Sequence, residues 1–154
     1  MVADIKITSN SVEIANEIKA MSRKMSSAIT KSLANVSAFE VKEIKQRTQS
    51  KGVDAYGKRF KPYSPKYKRA SVKQSGVVDL KDQGHMLGSM AFKVSASKGV
   101  LFFRQREQNL KASYHDIFGV GKKKITRQFF RISKDEQNKI RKKFARVLEK
   151  ELKL

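Results

Sequence analysis

An uninterrupted run of helix-forming sequence near the N-terminus is the feature that most constrains how this chain can fold. No Gly or Pro occurs before Gly52, and the period of the apolar residues predicts one α-helix from about Ser11 to Thr48. A helix of roughly 35 residues is too long for a compact domain of this size, so it forms either a spine or an arm toward a neighbouring subunit. The apolar stripe comprises Ile14, Ile18, Met21, Met25, Ala28 or Ile29, Leu33, Val36, Val41 and Ile44.

Loops and short strands flank this helix in the prediction. The alternating polar and apolar residues Asp4–Thr8 are typical of a short half-buried strand. After the helix, Gly and Pro residues punctuate a segment rich in Lys, Arg and Tyr, which predicts a flexible basic loop at about 50–76. A second flexible basic loop is predicted at about 119–124.

A small antiparallel sheet is predicted in the second half of the chain. β-Branched and aromatic residues on both sides of Ser97-Lys98-Gly99 indicate a β-hairpin at 91–105, preceded by a helical turn or two at 82–90. A strand-like piece at 125–132 is expected to join the same sheet. Its two aromatic residues are expected to divide between core and interface, one buried and one exposed to a partner: Phe129 and Phe130.

The C-terminal helix has the clearest boundary. Ser133 is a good N-cap and Glu136 completes the capping-box pattern, while Asp135 and Glu136 suit the positive end of the helix dipole. The elements together predict a single α+β domain over residues 1–154, with a long N-terminal helix and an amphipathic C-terminal helix packed on a small antiparallel β-sheet. The apolar face of the C-terminal helix comprises Ile140, Phe144, Val147, Leu148 and Leu152.

The charge of the chain is large and segmental. The 35 Lys and Arg residues outnumber the 14 Asp and Glu residues, which gives a net charge of +21 and predicts attraction to polyanions. Lys42–Lys73 has 11 basic and 2 acidic residues, and Lys122–Lys153 has 13 and 4, so each block carries +9. The rest of the chain contributes only +3.

Several classes of function find little support in the sequence. No run approaches the roughly 20 apolar residues of a membrane-spanning helix, and the N-terminus lacks a signal-peptide pattern.

Without Cys, and with only His85 and His115, the chain predicts no metal site and no cofactor. These histidines with Asp79, Asp82 or Asp116 are the best catalytic candidates, but no spacing resembles a ligand or catalytic set, so no enzyme is predicted. Lys122-Lys123-Lys124 after Gly119-Val120-Gly121 lacks the arrangement of a phosphate-binding loop.

Four short motifs follow one another in fixed order between Gly57 and about Glu136. The first comprises Gly57, Phe60, Pro62 and Tyr67, and the second comprises Leu80, Gly84, Met86, Leu87 and Ser89. The third comprises Tyr114, His115, Phe118 and Gly119, and the fourth comprises Arg127, Phe129, Phe130, Ser133 and Asp135. Together they resemble the small morphogenesis proteins that complete the neck or tail of tailed bacteriophages. That family often has Pro on either side of the Arg of the fourth motif, where this chain has Ile125-Thr126 and Gln128.

The resemblance implies a structural protein of the virion, assembled in the host cytoplasm and located in the neck or tail. It implies a homo-oligomeric ring, sixfold or twelvefold, at the head-tail junction, with phage connector or adaptor proteins and tail terminator or tail tube proteins as partners. The resemblance also allows double-stranded DNA in the conduit as a partner. The alternative hypothesis is a free-standing basic nucleic-acid-binding protein.

Two interpretations stay open for the basic segments that are interleaved with aromatic residues. Lys and Arg beside Tyr and Phe suit phosphate contact with base stacking, and the same composition suits an inter-subunit loop. The resemblance favours the interface. The candidate interface or DNA-contact residues are Tyr56, Lys58, Arg59, Phe60, Lys61, Tyr63, Tyr67, Lys68, Arg69, Lys122, Lys123, Lys124, Arg127 and Phe129.

Overall fold

A 36-residue helix forms the spine of the computed structural model, which describes residues 10–65, 77–81 and 83–153. This helix, α1 (Ser11–Gln46), continues into a wider π-helical turn, Arg47–Lys51, and stops at Gly52. Gly52 has a φ of +63°, and a Cβ there would lie 2.9 Å from Val77 Cγ1. The predicted long helix is confirmed. The predicted strand Asp4–Thr8 lies outside the described residues.

The second long helix runs antiparallel to the first. This helix is α4 (Lys134–Leu152). It begins with the predicted capping box of Ser133 and Glu136. At its C-terminal end, Lys24 Nζ of α1 donates to the Leu152 carbonyl at 3.0 Å. The apolar face of α4 is half-buried, and in mid-helix Lys143 Nζ lies 5.0 Å from the centroid of the Phe39 ring of α1.

The sheet in the described part of the chain is a two-stranded antiparallel hairpin. Strands β1 (Met90–Val94) and β2 (Gly99–Phe103) pair with Met90 opposite Phe103 and Val94 opposite Gly99, so the predicted hairpin is confirmed. The hairpin packs on α1. Its turn approaches the helix so closely that a Cβ at Gly99 would lie 2.3 Å from Ser37 Oγ.

The prediction of a further strand at 125–132 is wrong. Within the described residues this segment makes only an isolated bridge, Val120 opposite Ile125. Side chains bind its backbone instead: Asp116 Oδ1 accepts from Phe130 N at 2.9 Å, and Arg47 donates to the carbonyls of Phe129 and Arg131. Because these groups are already paired, they are not available to a sheet ladder.

The remaining helices are short and join the hairpin to the core. Helix α2 (His85–Gly88) precedes β1, at the position where the sequence predicts a helical turn. Helix α3 (Arg106–Ser113) follows β2 and continues into a second π-helical turn, Tyr114–Phe118. Helix α3 was not predicted from the sequence. The fold class is confirmed as α+β. The buried apolar cluster consists of Ile44, Phe60, Val78, Leu80, Met86, Leu87, Met90, Phe103, Ala112 and Phe129.

Candidate functional site

The N-terminal half of α1 projects from the body of the protein. Every residue from Asn10 to Ser27 is exposed, and Ala28 is the first buried residue of the helix. We call residues 11–27 the arm. The apolar stripe predicted from the sequence runs along it in the open, at exposures between 44% for Met25 and 70% for Met21. Its members on the arm are Ile14, Ile18, Met21 and Met25.

A tight turn after α1 presents Tyr56 to solvent. Asp54 Oδ1 accepts from the backbone N–H groups of Tyr56 and Lys58, each at 2.9 Å, and Val53 pairs with Arg59 across the turn. An Asp side chain that accepts from the N–H groups two and four residues later fixes the turn locally. Tyr56, Lys58, Arg59 and Lys61 are therefore exposed, as an interface or DNA-contact role requires.

Arg127 is an internal anchor and not a surface contact residue, which corrects its assignment from the sequence. Its side chain donates to the carbonyl of Lys61 at 3.0 Å and to that of Pro62 at 3.2 Å. The guanidinium carbon lies 5.2 Å from the centroid of the Tyr63 ring, and burial lowers the pKa of Arg127. Arg127 thus holds the 61–63 segment against the core, where half-buried Tyr63 also accepts from Leu80 N at 3.0 Å.

Two further candidate contact residues also belong to the core. Phe129 has an exposure of 0% and packs edge-on against Phe103 at a centroid distance of 6.3 Å. Phe60 is buried, and its N–H donates to the Gly52 carbonyl at 2.9 Å. Their rings are not available to a partner, so both assignments are wrong. Three more candidates, Tyr67, Lys68 and Arg69, lie outside the described residues.

The basic loop at 119–124 is a hydrogen-bonded turn with its lysines outward. Val120 and Ile125 exchange backbone hydrogen bonds at 3.0 and 3.1 Å. Gly119 has a φ of +83°, and a Cβ there would lie 2.3 Å from the Lys124 carbonyl oxygen, so this position requires Gly. Lys122, Lys123 and Lys124 are all exposed at the tip.

A cleft of about 790 Å³ lies between this turn, α2 and α3. Lys122 and Lys123 bring positive charge to its walls, while Lys111 is ion-paired with Glu107 at 2.9 Å. None of the described residues that line the cleft is acidic. Leu80, Met86, Val120 and Ile125 supply apolar surface. The cleft therefore suits a ligand that combines negative charge with apolar groups.

Of the residues proposed as catalytic candidates, His85 and His115 both line the cleft, whereas Asp79 and Asp116 hold backbone groups. His115 lines the cleft, but burial, followed by the charge of Arg127, lowers its pKa to about 4. Asp79 Oδ1 accepts from Lys81 N at 3.1 Å, and Asp116 binds Phe130 N, so both have structural partners. Asp82 is outside the described residues. Over the described ranges, no group of three or more His, Asp or Glu residues is placed to hold a metal ion.

An exposed apolar patch next to the cleft was missed by the sequence analysis. Tyr114 and Phe118 pack at a centroid distance of 5.8 Å, and both rings are more than half exposed. The spacing of apolar residues at i, i+4, i+7 and i+8 is the signal that could have revealed one helical face. We call the patch the α3 patch; it consists of Leu110, Tyr114, Ile117 and Phe118.

Comparison with known proteins yields no family assignment. No protein-family model matches the chain, and neither a curated protein nor a solved structure is significantly similar to it. In the described part of the chain, no helix is both long enough and apolar enough to cross a membrane.

Proposed function

We propose that this chain is a structural protein of the neck or tail-completion assembly of a tailed bacteriophage or prophage. It forms a ring at the head-tail junction and is required for virion assembly. The motifs between Gly57 and Glu136 suggest the family, and the exposed apolar stripe of the arm is the observation that carries an assembly role.

The arm supports assembly because its apolar stripe is left exposed. Isolated helical segments are marginal in water, and most helices in proteins are stabilised by packing of an apolar face. From Ser11 to Ser27 every side chain of α1 is exposed, including the stripe. An apolar stripe of this kind marks a surface that a partner covers.

The charge of the chain fits a component that assembles with acidic partners. A net charge of +21 opposes non-specific association of the free protein through like-charge repulsion between its basic surfaces. In the proposed assembly, acidic surfaces of connector, adaptor, tail terminator or tail tube proteins neutralise this charge. The exposed lysines Lys122–Lys124 also suit DNA passing through the conduit. The proposed role is structural, without a reaction or cofactor.

The proposed function is tested in a phage or prophage that lacks this gene, with the gene supplied in trans. The test variant carries Ile18→Asp and Met21→Asp on the stripe, and the matched control carries Asn16→Asp and Ala20→Asp on the opposite face of the arm. We expect full heads separate from tails, or tails of abnormal length, with the deletion and the stripe variant, and infectious particles with the wild type and the control. Normal particles from the deletion strain would overturn the proposal.

A second candidate function is free-standing nucleic-acid binding, which the exposed cluster of Lys58, Arg59 and Lys61 favours. Such a protein binds duplex DNA with an affinity that falls with salt at a slope of about −0.9 per phosphate neutralised. Binding that persists at physiological salt, together with normal particles from the deletion strain, would make this candidate the better one. Weak binding confined to low salt agrees with a virion component.

A further inference from the structure

The tip of the arm differs in charge from the rest of this basic chain. Residues 11–18 contain Glu13 and Glu17 and no Lys or Arg, so the first two turns of α1 carry −2 in a protein of +21. The same turns expose Val12, Ile14 and Ile18. The tip is therefore an acidic helical segment with exposed apolar side chains. A complementary binding surface combines positive charge with apolar side chains.

The cleft and the adjoining α3 patch together form such a surface. Lys111 and His115 line the cleft, while Leu110 and Tyr114, each one residue earlier along the same element, are exposed on the patch. The cleft and the patch therefore share an edge. Lys122 and Lys123 face the cleft from the other side, and its described lining residues include no acid that would oppose Glu13 or Glu17.

The arm cannot reach the cleft of its own chain. The 36 residues of α1 form one continuous helix of about 54 Å, with the tip at one end. The other end is near the cleft, because Arg47 binds the carbonyl of Phe129, two residues after the cleft residue Arg127. A contact between tip and cleft must therefore join two molecules.

We propose that the arm of one copy docks on the cleft and α3 patch of a neighbouring copy. This inference rests on the proposed ring assembly and identifies the contact that builds the ring. The tip supplies two carboxylates to Lys122 and Lys123, and the stripe covers the patch. Because the two surfaces are different, the contact is heterologous, and a heterologous contact that repeats with a closing rotation produces a ring.

The dimensions of the two surfaces agree. From Ile14 to Met25 the stripe extends about 17 Å along the arm, and from Leu110 to Phe118 the patch extends about 12 Å. The cleft volume of about 790 Å³ lies within the range of roughly 300–1,000 Å³ that is typical of ligand-binding clefts.

Cross-linking between differently labelled full-length chains tests the contact directly, because the natural chain contains no Cys. One chain carries Val12→Cys at the tip and the other carries Leu110→Cys on the patch. We expect mild oxidation of the mixture to give a disulfide-linked heterodimer. The control mixture replaces the second chain with Ala145→Cys, an exposed position on α4, and should stay monomeric on denaturing gels. Urea unfolding of each variant verifies that it is folded.

Charge reversal adds a test that does not depend on introduced thiols. Lys122→Glu with Lys123→Glu in the Leu110→Cys chain should reduce the heterodimer yield at least about tenfold. Glu13→Lys with Glu17→Lys in the Val12→Cys chain should then restore it. Lys142→Glu with Arg146→Glu on α4 makes the same change in net charge at exposed positions and should leave the yield unchanged.

The outcomes separate this inference from the proposed function. Predominant Val12→Cys homodimers would indicate paired arms, and cross-linking of the tip to another virion protein in infected cells would indicate a different partner. Either result overturns the docking of arm on cleft, as does failure of the charge reversal to rescue. If the deletion strain still yields defective particles, the proposed function stands; if its particles are normal, the proposed function fails as well.

Discussion

The guanidinium of Arg47 donates to the carboxylate of Glu136, which lies 89 residues later in the chain. The same guanidinium donates to the Phe129 carbonyl at 2.9 Å and to the Arg131 carbonyl. Glu136 also accepts from Ser133 N at 2.9 Å within the capping box. One buried cation thus joins the end of α1, the 129–131 segment and the start of α4.

Replacing Arg47 with Met should destabilise the protein by about 3–5 kcal/mol, because it leaves Glu136 buried without its partner. The side chain of Met fills most of the same volume, so the change in the free energy of unfolding is due mainly to the loss of the positive charge. The free energy of unfolding in urea measures it. Arg141→Met removes an exposed cation from α4 and should change stability by no more than about 0.5 kcal/mol. Equal effects of the two substitutions would contradict an anchoring role for Arg47.

Glu40 should make stability fall as the pH rises. Burial, then the charge of Glu136, raises its pKa to about 7 from 4.5, although Arg47 opposes the shift and Glu43 and Lys139 make smaller contributions of opposite sign. The folded state therefore holds the proton more tightly than the unfolded state. The contribution of Glu40 is fully present below about pH 4.5 and is lost as the pH rises through about 7.

Glu40→Gln, which imitates the neutral acid, should remove this loss. We expect the variant to be more stable than the wild type above pH 7, by on the order of 1–3 kcal/mol. Urea unfolding at a series of pH values measures the difference, with the exposed Glu17→Gln as the control. A wild-type profile that keeps its slope in Glu40→Gln would show that Glu40 is not the titrating group.

His115, in contrast to Glu40, should make stability rise as the pH rises. Burial, followed by the charge of Arg127, lowers its pKa to about 4 from 6.5, so between these values the unfolded state binds more protons. The contribution of His115 to stability should rise with pH over that interval. His115→Gln should abolish this rise, whereas His85→Gln, at an exposed position, should retain it. Unfolding curves of the two variants at matched pH provide the comparison.

Gly99→Ala should destabilise the hairpin contact with α1 by about 1–3 kcal/mol, because the new Cβ would lie 2.3 Å from Ser37 Oγ. Ser37→Ala should relieve the clash, so the double substitution should cost less than the sum of the two single ones. Thermal unfolding of the three variants and the wild type gives the coupling energy. Gly88→Ala, where nothing lies within 4 Å of the new Cβ, should be nearly neutral.

The sequence predicted elements whose signals are local. The extent of α1, the capping box at Ser133 and the hairpin turn before Gly99 depend on periodicity, capping and turn chemistry within a few residues. Helix α3 was missed because its sequence, REQNLKAS, is polar and has no clear apolar period. Its exposed apolar face extends mainly into the π-helical turn after it.

Some of the contact residues predicted from the sequence are exposed and others are not. Those that were assigned wrongly are buried in the core. Tyr56, Lys58 and Lys122–Lys124 are exposed, as a contact surface requires. Phe60, Arg127 and Phe129 have the same residue types as contact residues but are buried. Composition cannot distinguish an Arg that binds a partner from one that binds the carbonyls of Lys61 and Pro62.

The sequence by itself determined the two long helices, the hairpin and the segmental positive charge, because neighbouring residues specify these properties. Only the tertiary structure decided which part of the apolar stripe is covered: Ile44 is in the core, whereas Ile14 and Ile18 are on the arm. It also decided that the 125–132 segment is held by Arg47 and Asp116 instead of a sheet. Burial and long-range pairing depend on residues far apart in the chain, and no local pattern encodes them.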